Sequence, residues 1–334
     1  MRQTMPAETL PQPRLDRFPG RDLVSIRDLS PIEVESLFNL AALMKTRPED
    51  FRTALTGRHI AMFFEKPSLR TRITFEVGIS SLGGSVSFID QTHERLDARE
   101  TLEDIARNLE RWVSAIVLRT FAHETVVNMA EYTSVPVINA LSEVEHPCQA
   151  LADYFTLQEK FGNLKKVSLA YVGDGNNVMH SLLLAGALLG SKIRLATPKQ
   201  YGPNPQILAD AHDLAKQTGA EIELLTDPQK AVRGADAVYT DAWTSMGHER
   251  ESEERAKVFP PYQVNQELMN LARPHAVFMH CLPAHRNEEV TDEVIDSVRS
   301  VVFDQAENRM HIQKAILLML VGGKNRLPVR SAHA

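Results

Sequence analysis

Short apolar runs alternate with helix-length segments along nearly the whole chain, and this alternation constrains the fold more than any other feature. His59 to Phe64, Ser85 to Ile89, Ala115 to Leu118 and Val135 to Ile138 read as strands in the first half. Lys166 to Val172, Lys192 to Ala196, Glu221 to Leu225, Asp236 to Thr240, Ala276 to Met279 and Val301 to Phe303 read the same way in the second half. Strands joined through helices run parallel, because a parallel pair needs a long crossover. The expected class is therefore α/β, with mainly parallel sheets flanked by helices. A length of 334 residues suggests about two domains.

Ligands of parallel sheets collect outside the carboxyl ends of the strands. Three strand-to-helix crossings in the first half carry polar groups there. The first is Phe63-Phe64-Glu65-Lys66-Pro67-Ser68-Leu69-Arg70-Thr71-Arg72. Pro67 breaks the strand, Ser68 sits where a helix N-cap belongs, and Leu69, Ile73 and Val77 recur at helical spacing. Free N–H groups and the positive end of the helix dipole favour an anion at such a point. Basic residues oppose the dipole there, so an anion gives them a reason. Guanidinium forks suit a phosphate. The other reading is a solvated, basic first turn. Arg119 stands at the second crossing and His146-Pro147-Cys148-Gln149 at the third, with proline suited to a first helical position. Three such groups at equivalent strand ends point to one shared anion site.

Other segments read as scaffold. Ser30-Pro31-Ile32-Glu33 is a capping box opening a helix to about Lys45, with Ile32, Leu37, Leu40 and Met44 expected inward. Leu102, Ile105, Leu109 and Trp112 form the expected buried stripe of the helix that starts at Thr101.

In the second half, Gly173-Asp174-Gly175-Asn176-Asn177 follows a strand and invites a dinucleotide reading. The fingerprint fails: Val178 stands where Gly or Ala belongs, and Ala196-Thr197-Pro198-Lys199 lacks the acid that would hold a ribose. Asn176 and Asn177 either offer amides to a polar substrate or serve as turn residues. Asp241, ahead of Ser245-Met246-Gly247, is either a ligand for an ammonium group or a cap. His248 to Lys257 is either a solvated face or a lid. Cys281, in His280-Cys281-Leu282-Pro283, is a substrate-contact thiol, a small core residue or a nucleophile; the last role ranks lowest because no clear base accompanies it. Neighbouring His280 and Cys281 lack zinc spacing, so no metal is expected.

A net charge of −6 argues against a nucleic-acid partner. No apolar run reaches the ~18 residues that would cross a bilayer. The distant cysteines, Cys148 and Cys281, fit a reducing compartment. Residues 1–20 hold four prolines and read as a mobile arm without a secretory core, and the cytoplasm is the expected location.

Taken together, Ser68-Leu69-Arg70-Thr71-Arg72, His146-Pro147-Cys148-Gln149, Asp241 with Ser245-Met246-Gly247, and His280-Cys281-Leu282-Pro283 resemble the aspartate/ornithine carbamoyltransferase family over about residues 21–322. The last two motifs favour its ornithine branch. The resemblance implies two similar-sized α/β domains with the active site between them. They would be a carbamoyl phosphate domain over 21–152 and an ornithine domain over 153–305, with a helix at 306–322 returning to the first. Ser68, Leu69, Arg70, Thr71, Arg119, His146, Gln149 and Arg309 would hold carbamoyl phosphate. Cys281 and Leu282 would complete that site. Asn177, Asp241, Ser245 and Met246 would hold L-ornithine. Arg70, Arg119, His146 and Cys281 would be the catalytic set. The resemblance further implies no cofactor and a homotrimer, with the loop after the 85–89 strand reaching a neighbouring subunit's site. One stretch departs from the family. Arg95-Leu96-Asp97-Ala98-Arg99-Glu100 stands where Gln-Leu-Gly-Arg-Gly-Glu is common, so Arg95 replaces a glutamine that often touches carbamoyl phosphate. Rival readings are another amine acceptor, such as putrescine or an acylated ornithine, and a non-catalytic binding relative.

Overall fold

The structure is a computed structural model that describes residues 21–93, 95–244 and 249–322. The arm read at residues 1–20 lies outside this range. Two compact units are present: the described residues up to Leu141 with those from Met310 onward, and Ser142–Arg309. The boundary between the units lies at Leu141/Ser142, and the residues from Met310 onward group with the first unit.

In the first unit, helix α1 (Pro31–Thr46) starts at the predicted capping box. Strands β1 (His59–Phe64), β2 (Ser85–Asp90), β3 (Ala115–Arg119) and β4 (Val137–Leu141) form one parallel sheet in the order β2-β1-β3-β4. Helices α2 (Leu69–Ser81), α3 (Leu102–Leu109) and α4 (His123–Tyr132) make the crossovers. Ile116, Leu118, Val126, Met129 and Val137 form one face of the core. Each such side chain contributes about 1.5–3 kcal/mol when fully buried.

Two expectations about faces, those for Ile32 and Trp112, are corrected. On α2 the buried residues are Thr71, Phe75, Gly78 and Ile79. Leu69, Ile73 and Val77 are exposed at 74%, 45% and 49%. Their spacing marks a real stripe, but on the opposite side of the helix. Ile32 also faces outward, because the first turn of α1 overhangs the core that Leu37, Leu40 and Met44 enter. Trp112 is exposed because α3 stops at Leu109, so the residue no longer shares the helix face of Ala106 and Leu109.

In the second unit, β5 (Ser168–Val172), β6 (Lys192–Ala196), β7 (Glu221–Leu225), β8 (Ala237–Tyr239) and β9 (Val277–Met279) form a parallel sheet in the order β7-β6-β5-β8-β9. Around it lie α5 (Pro147–Phe161), α6 (Asn177–Leu189), α7 (Pro205–Thr218), α8 (Pro228–Val232), α9 (Ser252–Val258), α10 (Gln266–Met269) and α11 (Asp292–Ile295). The strand expected at Val301–Phe303 is instead the start of α12 (Val302–Val321). Pairing with β9 ends at Ser300 and Val301, where the Val301 N–H donates to the Phe278 carbonyl; the helix begins directly after it. Gly175 permits a close approach, since a Cβ there would lie 2.4 Å from the Gly202 backbone. The Gly-x-Gly pair thus serves packing of the 173–177 turn rather than a dinucleotide. Among the described residues, no helix is long and apolar enough to cross a membrane.

Candidate active site

Each sheet reverses its strand order at one place, and the candidate residues gather there. In the first sheet the chain steps from β1 outward to β2, then returns to β3 on the other side of β1. The carboxyl ends of β1 and β3 therefore border the switch point where ligands of such sheets bind. Ser68 caps α2: its Oγ accepts from the Thr71 N–H at 3.2 Å and donates to Thr71 Oγ1 at 2.9 Å. Arg119 ends β3 beside a register shift between Leu118 and Arg119, a bulge of the kind that re-aims a side chain. It is buried, and its Nε donates to the Lys66 carbonyl at 3.1 Å, which ties it to the chain entering the cap. Arg70 stands half-buried in the first turn of α2, while the Leu69 side chain points into solvent.

Glu65, which sequence reasoning passed over, anchors this region. The carboxylate is buried and accepts from the Leu96 N–H at 3.3 Å and the Phe121 N–H at 2.9 Å. Arg95 pairs within its own loop. Its guanidinium forks onto Asp97, at 3.1 and 3.2 Å. Asp97 thus supplies the counter-ion for Arg95. A cavity of about 540 Å³ lies beside this loop, lined by Phe63, His93, Arg95, Leu96, Arg99 and Trp112 among others.

In the second sheet, β5, β6 and β7 run outward and β8 returns to the other side of β5. Asn176 and Asp241 follow the carboxyl ends of β5 and β8, and they meet across this switch point. Asn176 Nδ2 donates to Asp241 Oδ2 at 2.7 Å, while Asn176 Oδ1 caps α6 by accepting from the Met179 N–H at 3.0 Å. Asp241 Oδ1 accepts from its neighbour Ala242 N–H at 2.8 Å and from the Cys281 thiol at 3.1 Å. Asn177 Nδ2 donates to the Ser142 carbonyl at 2.5 Å. Ser245 and Met246 lie outside the described residues.

The thiol of Cys281 is no thiolate. Burial first, then the Asp241 carboxylate, push its pKa well above the ordinary 9.0. It acts as a donor to Asp241. The Cys281-Leu282 turn is held by His280, which is fully buried. His280 Nδ1 accepts from the Leu282 N–H at 2.9 Å, so the ring proton sits on Nε2 and donates to Glu289 Oε1 at 3.2 Å. Leu282 itself adopts a left-handed φ of 60°, and its bond to Pro283 is cis. Asp241, His280 and Cys281 also lie close enough together to share a cation. The hydrogen bonds just described already use those atoms.

His146 precedes Pro147 at the start of α5. Its N–H donates to Ser181 Oγ at 2.9 Å, and Ser181 in turn donates to Glu145 at 3.0 Å. Arg309 from α12 donates to His146 Nε2 at 3.3 Å, which places the ring proton on Nδ1. Both side chains are buried, as is Gln149. Two further residues were missed. Arg255, inside the charged run read as a solvated face or lid, is buried, pairs with Asp174 at 2.9 Å and donates to the Trp243 carbonyl at 2.7 Å. Asp153, one turn after Gln149, accepts from it at 2.7 Å. Its place at i+4 from a site residue on a helix was the available signal.

The first unit thus offers an N-capped basic turn with Arg70 and Arg119, and the second unit offers a histidine beside Arg309 and a carboxylate backed by a thiol and an amide. The family models for the carbamoyl-P binding domain and the Asp/Orn binding domain of aspartate/ornithine carbamoyltransferases match residues 21–159 and 165–320. The ornithine carbamoyltransferase of Thermococcus kodakarensis is 51% identical over 306 residues, covering 91% of this chain and 97% of the relative. A solved ornithine carbamoyltransferase from Pyrococcus furiosus superposes with a TM-score of 0.89 at 49% identity, covering 92% of this chain and 99% of the other. One from Thermus thermophilus gives 0.80 at 47% identity, covering 90% and 98%. With the two models together matching nearly all of residues 21–320, the chain belongs to the aspartate/ornithine carbamoyltransferase family.

Proposed function

We propose that this chain is an ornithine carbamoyltransferase, which moves the carbamoyl group of carbamoyl phosphate onto the δ-amine of L-ornithine to give L-citrulline and phosphate. The observation that carries the acceptor half is Asp241, a buried carboxylate fixed by Asn176 and Cys281 beside the switch point of the second sheet. Asp241 would hold the amino-acid substrate together with Asn177, Ser245 and Met246. On the donor side, Ser68, Leu69, Arg70 and Thr71 would cradle the phosphate with the N-terminus of α2. Arg119, His146, Gln149 and Arg309 would hold the remainder of carbamoyl phosphate, with Cys281 and Leu282 completing its site. Each charge-assisted hydrogen bond of this kind is worth roughly 1.5–3 kcal/mol.

The chemistry needs no more than positioning and charge. The δ-nitrogen lone pair attacks the carbamoyl carbon, negative charge collects on the carbamoyl oxygen, the bond to the phosphate oxygen breaks, and the nitrogen gives up a proton. Arg119, His146 and Thr71 would stabilise that oxygen in the tetrahedral state. The attacking amine must be neutral, whereas a free alkylamine is mostly protonated near pH 7, so turnover rises with pH. A biosynthetic direction is supported by the Pyrococcus furiosus relative, whose name includes the word anabolic, at 49% identity. A homotrimer fits the exposed stripe of Leu69, Ile73 and Val77 and the exposed Trp112, which are apolar surfaces of the kind that mark contacts.

The test is release of citrulline and phosphate from carbamoyl phosphate with L-ornithine, putrescine, N-acetylornithine and L-aspartate, each over a concentration series. Fast turnover with ornithine alone is expected. Preference for another amine would overturn the reading of Asp241. Binding of carbamoyl phosphate with no turnover on any acceptor would make the chain a binding relative.

A further inference from the structure

Asp153 takes no part in the scheme above, yet three donors converge on it. It lies fully buried on α5. Gln149 Nε2 at 2.7 Å and Gln305 Nε2 at 2.9 Å share its Oδ1, and the Tyr239 hydroxyl reaches Oδ2 at 3.0 Å. The direction of these bonds is determined. The His280 N–H donates to Gln305 Oε1 at 3.0 Å, and a backbone N–H can only donate. Gln305 must therefore turn its NH₂ group to Asp153. Burial raises the Asp153 pKa only to about 6, so above neutrality the group is an ionised, acceptor-only carboxylate. Gln149 must turn its NH₂ group inward as well. Its Oε1 is then the remaining polar atom. That oxygen is buried and has no hydrogen-bond partner among the described residues.

We propose that Asp153 is a positioning residue for the transfer reaction. By holding the NH₂ of Gln149 it fixes Oε1 as the acceptor that recognises the amino group of the carbamoyl donor. Through Gln305 it ties that acceptor to the main chain just before Cys281 and Leu282. The inference rests on the reading of Gln149 as a carbamoyl phosphate ligand. It names the property being selected: an acyl phosphate whose acyl group donates a hydrogen bond. Acetyl phosphate has nearly the same shape but carries a methyl group there. Without Asp153, the Gln149 amide can turn over and present its own NH₂, and the two acyl phosphates then look alike.

The experiment measures dissociation constants of carbamoyl phosphate, acetyl phosphate and inorganic phosphate by calorimetry at pH 7.5 for the parent, Asp153→Ala and Asp153→Asn. In Asp153→Ala the ratio of acetyl to carbamoyl phosphate dissociation constants falls about tenfold, the size of one net hydrogen bond, while inorganic phosphate binds within about twofold of the parent. Asp153→Asn restores the ratio, because its Oδ1 still accepts from both amides and its NH₂ donates to the Tyr239 oxygen. A merely structural role weakens all three ligands together and leaves the ratio alone. Should the alanine variant fail to fold, Asp153→Ser is read in the same way, since its hydroxyl falls short of Gln149 Nε2. An unchanged ratio in the folded variant overturns the proposal. Gln149→Ala separates the two possible failures. If it also leaves the ratio unchanged, the reading of Gln149 is wrong; if it collapses the ratio, only the role of Asp153 is.

Discussion

Replacing Asp241 with asparagine tests the acceptor half of the site. The substitution keeps the size of the side chain and leaves one oxygen for the Ala242 N–H and the Cys281 thiol, both of which bind Oδ1. At Oδ2 it puts an NH₂ group 2.7 Å from the NH₂ of Asn176. Asn176 cannot turn over without cost, because its own oxygen caps α6 at the Met179 N–H. Leaving one buried donor unsatisfied costs about 1–3 kcal/mol, and giving up the cap costs about 1 kcal/mol. The structure takes whichever is cheaper, so Asp241→Asn lowers stability by about 1 kcal/mol, a fall in Tm of roughly 2–4 °C for a unit of this size. The lost charge also weakens ornithine roughly ten- to hundredfold, with carbamoyl phosphate little changed. Calorimetric scanning and separate titrations of the two substrates measure these effects. Adding Asn176→Asp reverses the donor and acceptor while keeping a good cap, so the double variant regains most of the lost Tm. A single variant that melts within 1 °C of the parent by the calorimetric criterion (about 0.3 kcal/mol), or a double variant no better than the single, would refute the account of this pair.

Three further outcomes follow from the geometry. Arg70→Ala weakens carbamoyl phosphate by roughly ten- to hundredfold in a direct titration, the loss of one charge-assisted contact; near-parental affinity would remove Arg70 from the site. Asp153 makes stability fall as pH rises, the reverse of a paired surface carboxylate. Its folded pKa is raised from 3.8 to about 6 by burial, so its contribution is complete below pH 3.8 and is lost as pH climbs through about 6, worth about 3 kcal/mol in all. Urea midpoints at pH 4.5 and 6.5 would therefore differ less in Asp153→Asn than in the parent, and equal differences would count against the assignment. Finally, Cys281 remains a thiol near neutrality, so iodoacetamide labels it slowly at pH 7; labelling as fast as that of a free cysteine peptide would show that Asp241 and burial do not hold the proton.

Much of the site was legible because its chemistry sits where the backbone changes from strand to helix, and those changes leave strong local signals. Pro67 with Ser68, His146 with Pro147, and Gly173 to Asn176 each mark such a crossing. The faces of elements were less legible. Periodicity reports that Leu69, Ile73 and Val77 form a stripe, but not which side of α2 meets the sheet; Phe75 and Ile79 supply an equally regular stripe, and that one won. Val301 to Phe303 looked like a strand because it is apolar and short, yet its pairing with β9 ends where α12 starts. Buried carboxylates were the least legible of all. Glu65 and Glu289 are recognisable only from their donors, which come from residues up to 56 positions away in sequence.

The division of the first unit orders events at the ribosome. Its sheet is finished by Leu141, but α2 still lacks a neighbour, since Gly78 meets the Lys314 side chain near the end of the chain. The second unit is encoded entirely between those two halves. Its sheet and most of its helices have left the exit tunnel before the first unit can close. A nascent or truncated chain that ends before Met310 would thus carry one complete unit and one open one, and the open one is the earlier in sequence.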